Sequence, residues 1–287
     1  MTDKIEEPTL VAGPYIGEFG WEVISWQPMV RNLFMTNPFK RCVVYTGPGR
    51  SLLYPWAEVR TLADVPDHQP ECLGWHEMEK YMDDINDIIN RMGEEVDKEF
   101  AKFQLFGYPN LKKLNDPFYM RGRPDLLRGD SGSSQWGQSE VPTKEIVLCV
   151  RDRPMSEYRN WEPDNWIDLA NALSQQHHVT IIGQTQEDWG NVFYDDVDDQ
   201  LNKTTIDDCI NLFQNAALAV GGCTGTIHLA SRCGCDHLVW GGPKVIRRVA
   251  AVNWFGAEHK VYNWGWDPSS GMVGTAVNQW LEKGEWM

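Results

Sequence analysis

Residues 219–231, AVGGCTGTIHLAS, combine glycines, hydroxyls and a histidine at a spacing suited to holding an anion. An apolar run from Ala216 to Val220 meets Gly221 and Gly222, and Thr224-Gly225-Thr226 follows. Ile227, His228, Leu229 and Ala230 then continue in a helix-like pattern. This is how a strand reads when it ends in a glycine turn and opens directly into a helix. Such a turn aims free backbone N–H groups and the positive end of the helix dipole at one point, where phosphates above all bind. The chemistry expected there is capture of a nucleotide or a sugar phosphate.

The rest of the chain must position that turn, and its composition bounds how. With 287 residues it is long enough for one large or two medium domains. Hydrophobic content of 42% and charged content of 23% are those of an ordinary globular protein. No apolar run approaches the length of a membrane span, and the opening MTDKIEEPTL is acidic rather than signal-like. Seven cysteines, an odd number set mostly in apolar or glycine-rich segments, point to a reducing, cytoplasmic compartment. A net charge of −15 argues against broad nucleic-acid binding, although Arg151, Arg153, Arg159, Arg247 and Arg248 cluster in the second half. Most of the 14 tryptophans are expected in the core rather than as platforms for a ligand.

Along the chain, TLVAGPY (9–15) reads as a buried strand and GEFGWE (17–22) as a turn. An apolar-periodic helix with Trp26, Met29, Val30, Leu33 and Phe34 follows, with Pro28 in its first turn. RCVVYTG (41–47) is a second strand, and a helix is expected from Ser51 to Val59. Residues 75 to about 103 show the clearest helical period, with Gly93 as a breaking or kinking point, and 129–143 read as a polar linker. A second series then begins: strand 145–151, helix 165–176, strand 178–184, helix 206–214, strand LAVGG, helix 226–233 and strand 237–242. Strands alternating with helices predict parallel sheets. The architecture expected is therefore α/β, with two Rossmann-like lobes whose sheets face a cleft. Their bounds are 1–140, with a helical insertion around 60–128, and 141–287, with the last helix packing back on the first lobe.

Three stretches resemble the GT-B glycosyltransferases of the heptosyltransferase-like, family 9-like group. Residues 202–243 are similar to the donor lobe's helix, strand, Thr-Gly turn, His-Leu-Ala helix and final strand. Residues 150–173 resemble the first strand and helix of that lobe, and 13–31 resemble the acceptor lobe's first turn, with its acidic residue after a glycine. One position departs from the pattern: the related enzymes place Asp or Ser before the Thr-Gly pair, where this chain has Cys223.

The resemblance implies transfer of a sugar from a nucleotide donor to an acceptor hydroxyl, with inversion and with neither a metal nor another cofactor. Charge on the leaving diphosphate then needs donors, and the Gly225 and Thr226 N–H groups, the Thr224 and Thr226 hydroxyls and an arginine suit that role. Arg151, at its strand end, leads Arg153 and Arg159, the bland alternative being surface ion pairs. His228 is placed at the donor or as a hydrogen-bonded structural histidine, and Gln184 at the nucleoside. For the base that takes the acceptor's proton, Glu18 leads and Glu22 follows. Their bland readings are a capping or surface carboxylate and a favourable first-turn charge.

The acceptor class implied is a glycan, a lipid-linked sugar or a hydroxylated base of phage DNA, the last disfavoured by net charge. Cys223, His228, Cys233, Cys235 and His237 lie within fifteen residues and superficially suggest zinc. A helix of about eight residues, however, separates its ends by about 12 Å, too far for one tetrahedral site. A nicotinamide dinucleotide site is disfavoured because no G-x-G-x-x-G follows the first strand. The competing function is a non-catalytic nucleotide- or sugar-binding protein of the same fold.

Overall fold

In the computed structural model the described residues are 4–15, 17, 19–61, 82–106, 145–154, 156–244 and 257–283. The chain divides into two units, Met1–Gly129 and Asp130–Met287. Glu18, Arg247 and Arg248 lie outside the described residues, as do the linker reading and most of the expected insertion.

In the first unit β1 (Thr9–Ala12), β2 (Arg41–Thr46), β3 (Glu58–Thr61) and β4 (Phe103–Phe106) form a parallel sheet in the order β3-β2-β1-β4. Strands buried on both faces read as unbroken apolar runs, which is why β1 and β2 stand out in the sequence. The helix after β1 starts earlier than the pattern suggests. α1 (Phe19–Trp21) runs through a π-helical turn (Glu22–Trp26) into α2 (Gln27–Thr36), so 19–22 is helical rather than a turn. The wider π turn lies just ahead of Pro28, where the backbone has no N–H to give the helical ladder.

The helix expected over 51–59 is instead a 3-10 turn, Ser51–Leu53, followed by β3. Pro55 disfavours helical backbone at the preceding residue, and Tyr54 is accordingly non-helical at φ −128°, ψ 59°. The long helix is described as α3 (Met82–Glu99) and passes Gly93 unbroken. It buries Ile88, Met92 and Val96, the last two in one cluster with Val11, Val43, Tyr45 and Phe100. It ends short of residue 103, because Phe100 turns into that core and the chain extends as β4.

The second unit holds β5 (Glu145–Arg151), α4 (Pro163–Ser174), β6 (His178–Gln184), β7 (Val197–Leu201), α5 (Ile206–Asn215), β8 (Leu218–Gly222), α6 (Gly225–Arg232), β9 (His237–Trp240), β10 (His259–Tyr262) and α7 (Ser270–Lys283). Its sheet is parallel in the order β10-β9-β8-β5-β6-β7. The strand order reverses between β5 and β8, and in such sheets ligands bind at the carboxyl ends beside that reversal. Thr205 caps α5 reciprocally with Asp208, which fixes where that helix begins.

Trp161, Trp166 and Trp240 meet in the core with ring centroids 4.8 to 5.7 Å apart. α7 packs on α4 and adds Val273, Ala276, Val277 and Trp280 to this core, so its apolar face is used within its own unit. Six cysteines are described, all buried and none in a disulfide. Among the described residues no helix is long and apolar enough to cross a membrane, and no group of three or more His, Cys, Asp or Glu is arranged to hold a metal ion.

Candidate anion site and the first strand-to-helix turn

Gly221, near the end of β8, is required by crowding: a Cβ there would lie 2.9 Å from the Cys149 carbonyl of β5. The close approach of these two central strands sets the direction in which the chain leaves the sheet. Thr224 is the N-cap of α6, with extended backbone (φ −136°, ψ 170°) and a hydroxyl that accepts from the Ile227 N–H at 3.4 Å. The Gly225 and Thr226 N–H groups belong to the first turn, where a helix supplies no acceptor of its own. From Leu218 to Cys235 every residue is buried except Thr224, Gly225 and Thr226. The surface opens at the three residues whose donors suit a phosphate.

His228 is buried beneath that window, with Nε2 3.8 Å from the Cys223 Sγ. It is placed to support the turn from below. His237 lies deeper, with Nδ1 2.9 Å from the Cys235 carbonyl oxygen, and burial pushes its pKa down to about 3. It is therefore a neutral core residue at physiological pH.

Arg151, Arg153 and Arg159 lie in different environments. Arg151, 8% exposed, donates to the Ser156 carbonyl at 3.2 Å and to the Asn160 side-chain oxygen. Asn160 also accepts from the Arg153 N–H at 3.2 Å and donates to the Arg153 carbonyl at 2.9 Å. Asp152 joins this knot, accepting from the Gln186 side chain at 2.7 Å and its N–H at 3.0 Å. Arg159 donates to the carbonyl of Cys223, the residue just before the N-cap, and its Cζ lies 4.9 Å from the Trp266 ring centre. Arg159 thereby touches the turn itself. Gln184 ends β6 and is exposed. Nothing in the sequence pattern marked Asn160, Asp152 or Trp266, whose roles arise where loops meet.

The turn after β1 is built differently. Gly13, at φ +122°, abuts β2 so closely that a Cβ would lie 2.5 Å from the Tyr45 carbonyl oxygen. Glu22 then enters the interior with no exposed surface. Its Oε1 accepts from Thr46 Oγ1 and Tyr54 Oη, each at 2.6 Å, and its Oε2 accepts from the Arg50 guanidinium. Burial, and then the carboxylate beside it, hold the Tyr54 hydroxyl well above its ordinary pKa, so it remains a donor. Arg50 also lies over Phe19, its Cζ 5.6 Å from the ring centre, and Gln27 donates to the Leu53 carbonyl at 3.1 Å. The carboxylate thus ties the π-helical turn, β2 and the two residues that flank the Ser51–Leu53 turn together. Glu22 does stand in the first turn of the π-helical segment, as its bland reading has it, but it is buried among these partners.

No family model matches this sequence, and no curated protein matches it. Solved structures do. A glycosyl transferase family 9 protein from Veillonella parvula aligns over 96% of this chain and 89% of its own, with TM-score 0.58 at 10% identity. The E. coli heptosyltransferase WaaC, solved with ADP, aligns over 97% and 100% with TM-score 0.57 at 13% identity. The E. coli lipopolysaccharide heptosyltransferase II aligns over 96% and 99% with TM-score 0.62 at 12% identity. With its two parallel sheets and intervening helices, the chain has the GT-B fold of these solved structures.

Proposed function

We propose that this protein is a glycosyltransferase that moves a sugar from a nucleotide-sugar donor to an acceptor hydroxyl, with inversion and without a bound metal. The observation that carries the reading is the half-buried window Thr224–Gly225–Thr226 at the end of a central strand, in an otherwise buried stretch. The acceptor oxygen bonds to the anomeric carbon as the bond from that carbon to the diphosphate oxygen breaks. The departing diphosphate gathers negative charge, which the Gly225 and Thr226 N–H groups and the Thr224 and Thr226 hydroxyls are chosen to meet. Arg159 is a positioning residue for that turn, and Arg151 one for the β5 loop through Asn160. Arg153 adds positive charge, and Gln184 is assigned to the nucleoside.

Glu18 is the proposed base, taking the proton of the acceptor hydroxyl. Glu22, enclosed by three donors, is better suited to holding the helix that follows Glu18 than to receiving a proton. The acceptor is a glycan or lipid-linked sugar; the chain's −15 charge weighs against DNA. The buried described thiols, none in a disulfide, are compatible with a reducing, cytoplasmic setting.

The test is release of nucleotide from a panel of donor sugars with candidate acceptors, by wild type and Glu18→Ala. Loss of a general base lowers turnover by roughly 10²–10⁴-fold. Equal turnover by Glu18→Ala removes the assignment, and donor binding without turnover on any acceptor favours a non-catalytic binding protein. Mobility shifts with plain and hydroxymethylated duplexes address the DNA acceptor.

A further inference from the structure

One flank of the Thr224 turn is polar and the other aromatic. On the β6 side lie Gln184, Gln186 and Asp152. On the other lies Trp266, over the end of β9, its Nε1 3.7 Å from where a Gly242 Cβ would stand. Tyr158 meets Trp266 edge to face, with centroids 6.2 Å apart at 80°. Tyr158 is also 71% exposed, more than any other large hydrophobic side chain among the described residues.

An exposed aromatic on a surface loop is ordinary, but this one is held firmly. Its turn starts from Ser156 in left-handed conformation (φ 58°) and is bonded through Asn160 to Arg151 and Arg153. The Trp266 loop is pinned by Trp161 Nε1, which donates to the Pro268 carbonyl at 2.7 Å, and by Asn165, which reaches Asp267 at 3.5 Å. The Arg159 guanidinium joins the two sides, stacked on Trp266 and bonded to the carbonyl of Cys223, the residue before the window.

Resting on the donor reading above, we infer that Tyr158, backed by Trp266, forms an aromatic wall for the glycosyl ring of the donor. That ring is bonded directly to the diphosphate, whereas the base is a ribose further away, so proximity to the window favours the sugar. The polar β6 flank suits the hydrogen-bonding nucleoside. A tyrosine supplies an apolar face for the C–H side of a sugar and a hydroxyl for one of its oxygens.

The experiment compares binding of UDP with UDP-glucose and of ADP with ADP-glucose by calorimetry, for wild type, Tyr158→Ala and Trp266→Phe. Tyr158 is exposed, so Tyr158→Ala is expected to melt like wild type. The expected result is about a tenfold loss of nucleotide-sugar affinity in Tyr158→Ala, as one lost aromatic contact implies. The free diphosphates should change by less than about twofold, and Trp266→Phe should fall between. Equal loss for a diphosphate and its sugar overturns the proposal in favour of base stacking. No loss for either, including a case where only the acceptor KM rises, also overturns it while leaving the donor reading intact. If wild type binds neither diphosphates nor nucleotide sugars, the donor reading itself fails and takes the wall with it.

Discussion

The turns after β1 and β8 solve one backbone problem and then diverge. Each leaves an interior parallel strand at a glycine pressed against its neighbour: Gly13 against the Tyr45 carbonyl, Gly221 against that of Cys149. After β1 the charge is taken inside, and Glu22 is enclosed by Arg50, Tyr54 and Thr46. After β8 the interior is filled by Cys223, Ile227 and His228, and the donors of Thr224–Thr226 stay at the surface. The first arrangement encloses its charge among partners, whereas the second keeps hydroxyls and first-turn N–H groups partly accessible. A buried charge surrounded by partners is a structural device, and partly accessible donors at a helix start beside the strand-order reversal suit a ligand.

That contrast can be broken most forcefully at Glu22. Glu22→Ala leaves Arg50 buried without its carboxylate, and removing one partner of a buried ion pair costs about 3–5 kcal/mol. Urea unfolding should show a loss of that size; a loss under about 1 kcal/mol would mean that the cluster is not what holds the turn. On the other side of the comparison, Thr224→Ala removes only a cap, about 1 kcal/mol, yet should abolish most nucleoside diphosphate binding. If calorimetry finds diphosphate affinity unchanged in Thr224→Ala, the ligand does not sit at this window.

A smaller effect separates the units by pH. His237 is neutral in the fold with its pKa lowered from 6.5 to about 3, so the unfolded chain binds the extra proton between those values. Its contribution is therefore complete above about pH 6.5 and declines as pH falls towards about 3. His237→Gln should flatten the acid limb of thermal melts; an unchanged limb locates the acid sensitivity elsewhere.

How much of this could be read from residues alone divides along the same physical lines. β1, β2, β5, β6, β8 and β9 announce themselves as apolar runs because parallel strands inside a sheet are covered on both faces. The four strands the pattern did not mark, β3 (EVRT), β4 (FQLF), β7 (VDDQL) and β10 (HKVY), are the four sheet edges. An edge strand is half solvated and is interrupted by charged or polar residues (Gln104 alone in β4), so it lacks the run that identifies its neighbours. The Thr224 turn was legible because strand, cap and helix are contiguous. Glu22 was not, since Thr46, Arg50 and Tyr54 lie 24, 28 and 32 residues away. Tyr158 and Trp266 meet only because β5 and β10 belong to one sheet, and no spacing along the chain encodes that contact.

The most direct test of the division of labour is a paired measurement on wild type, Glu18→Ala and Thr224→Ala: diphosphate affinity and donor turnover. The account predicts a double separation, with Glu18→Ala binding the diphosphate like wild type while turnover falls by roughly 10²–10⁴-fold. Thr224→Ala should instead lose the diphosphate. Parallel losses of binding and turnover in both variants, or full turnover by Glu18→Ala, would contradict it.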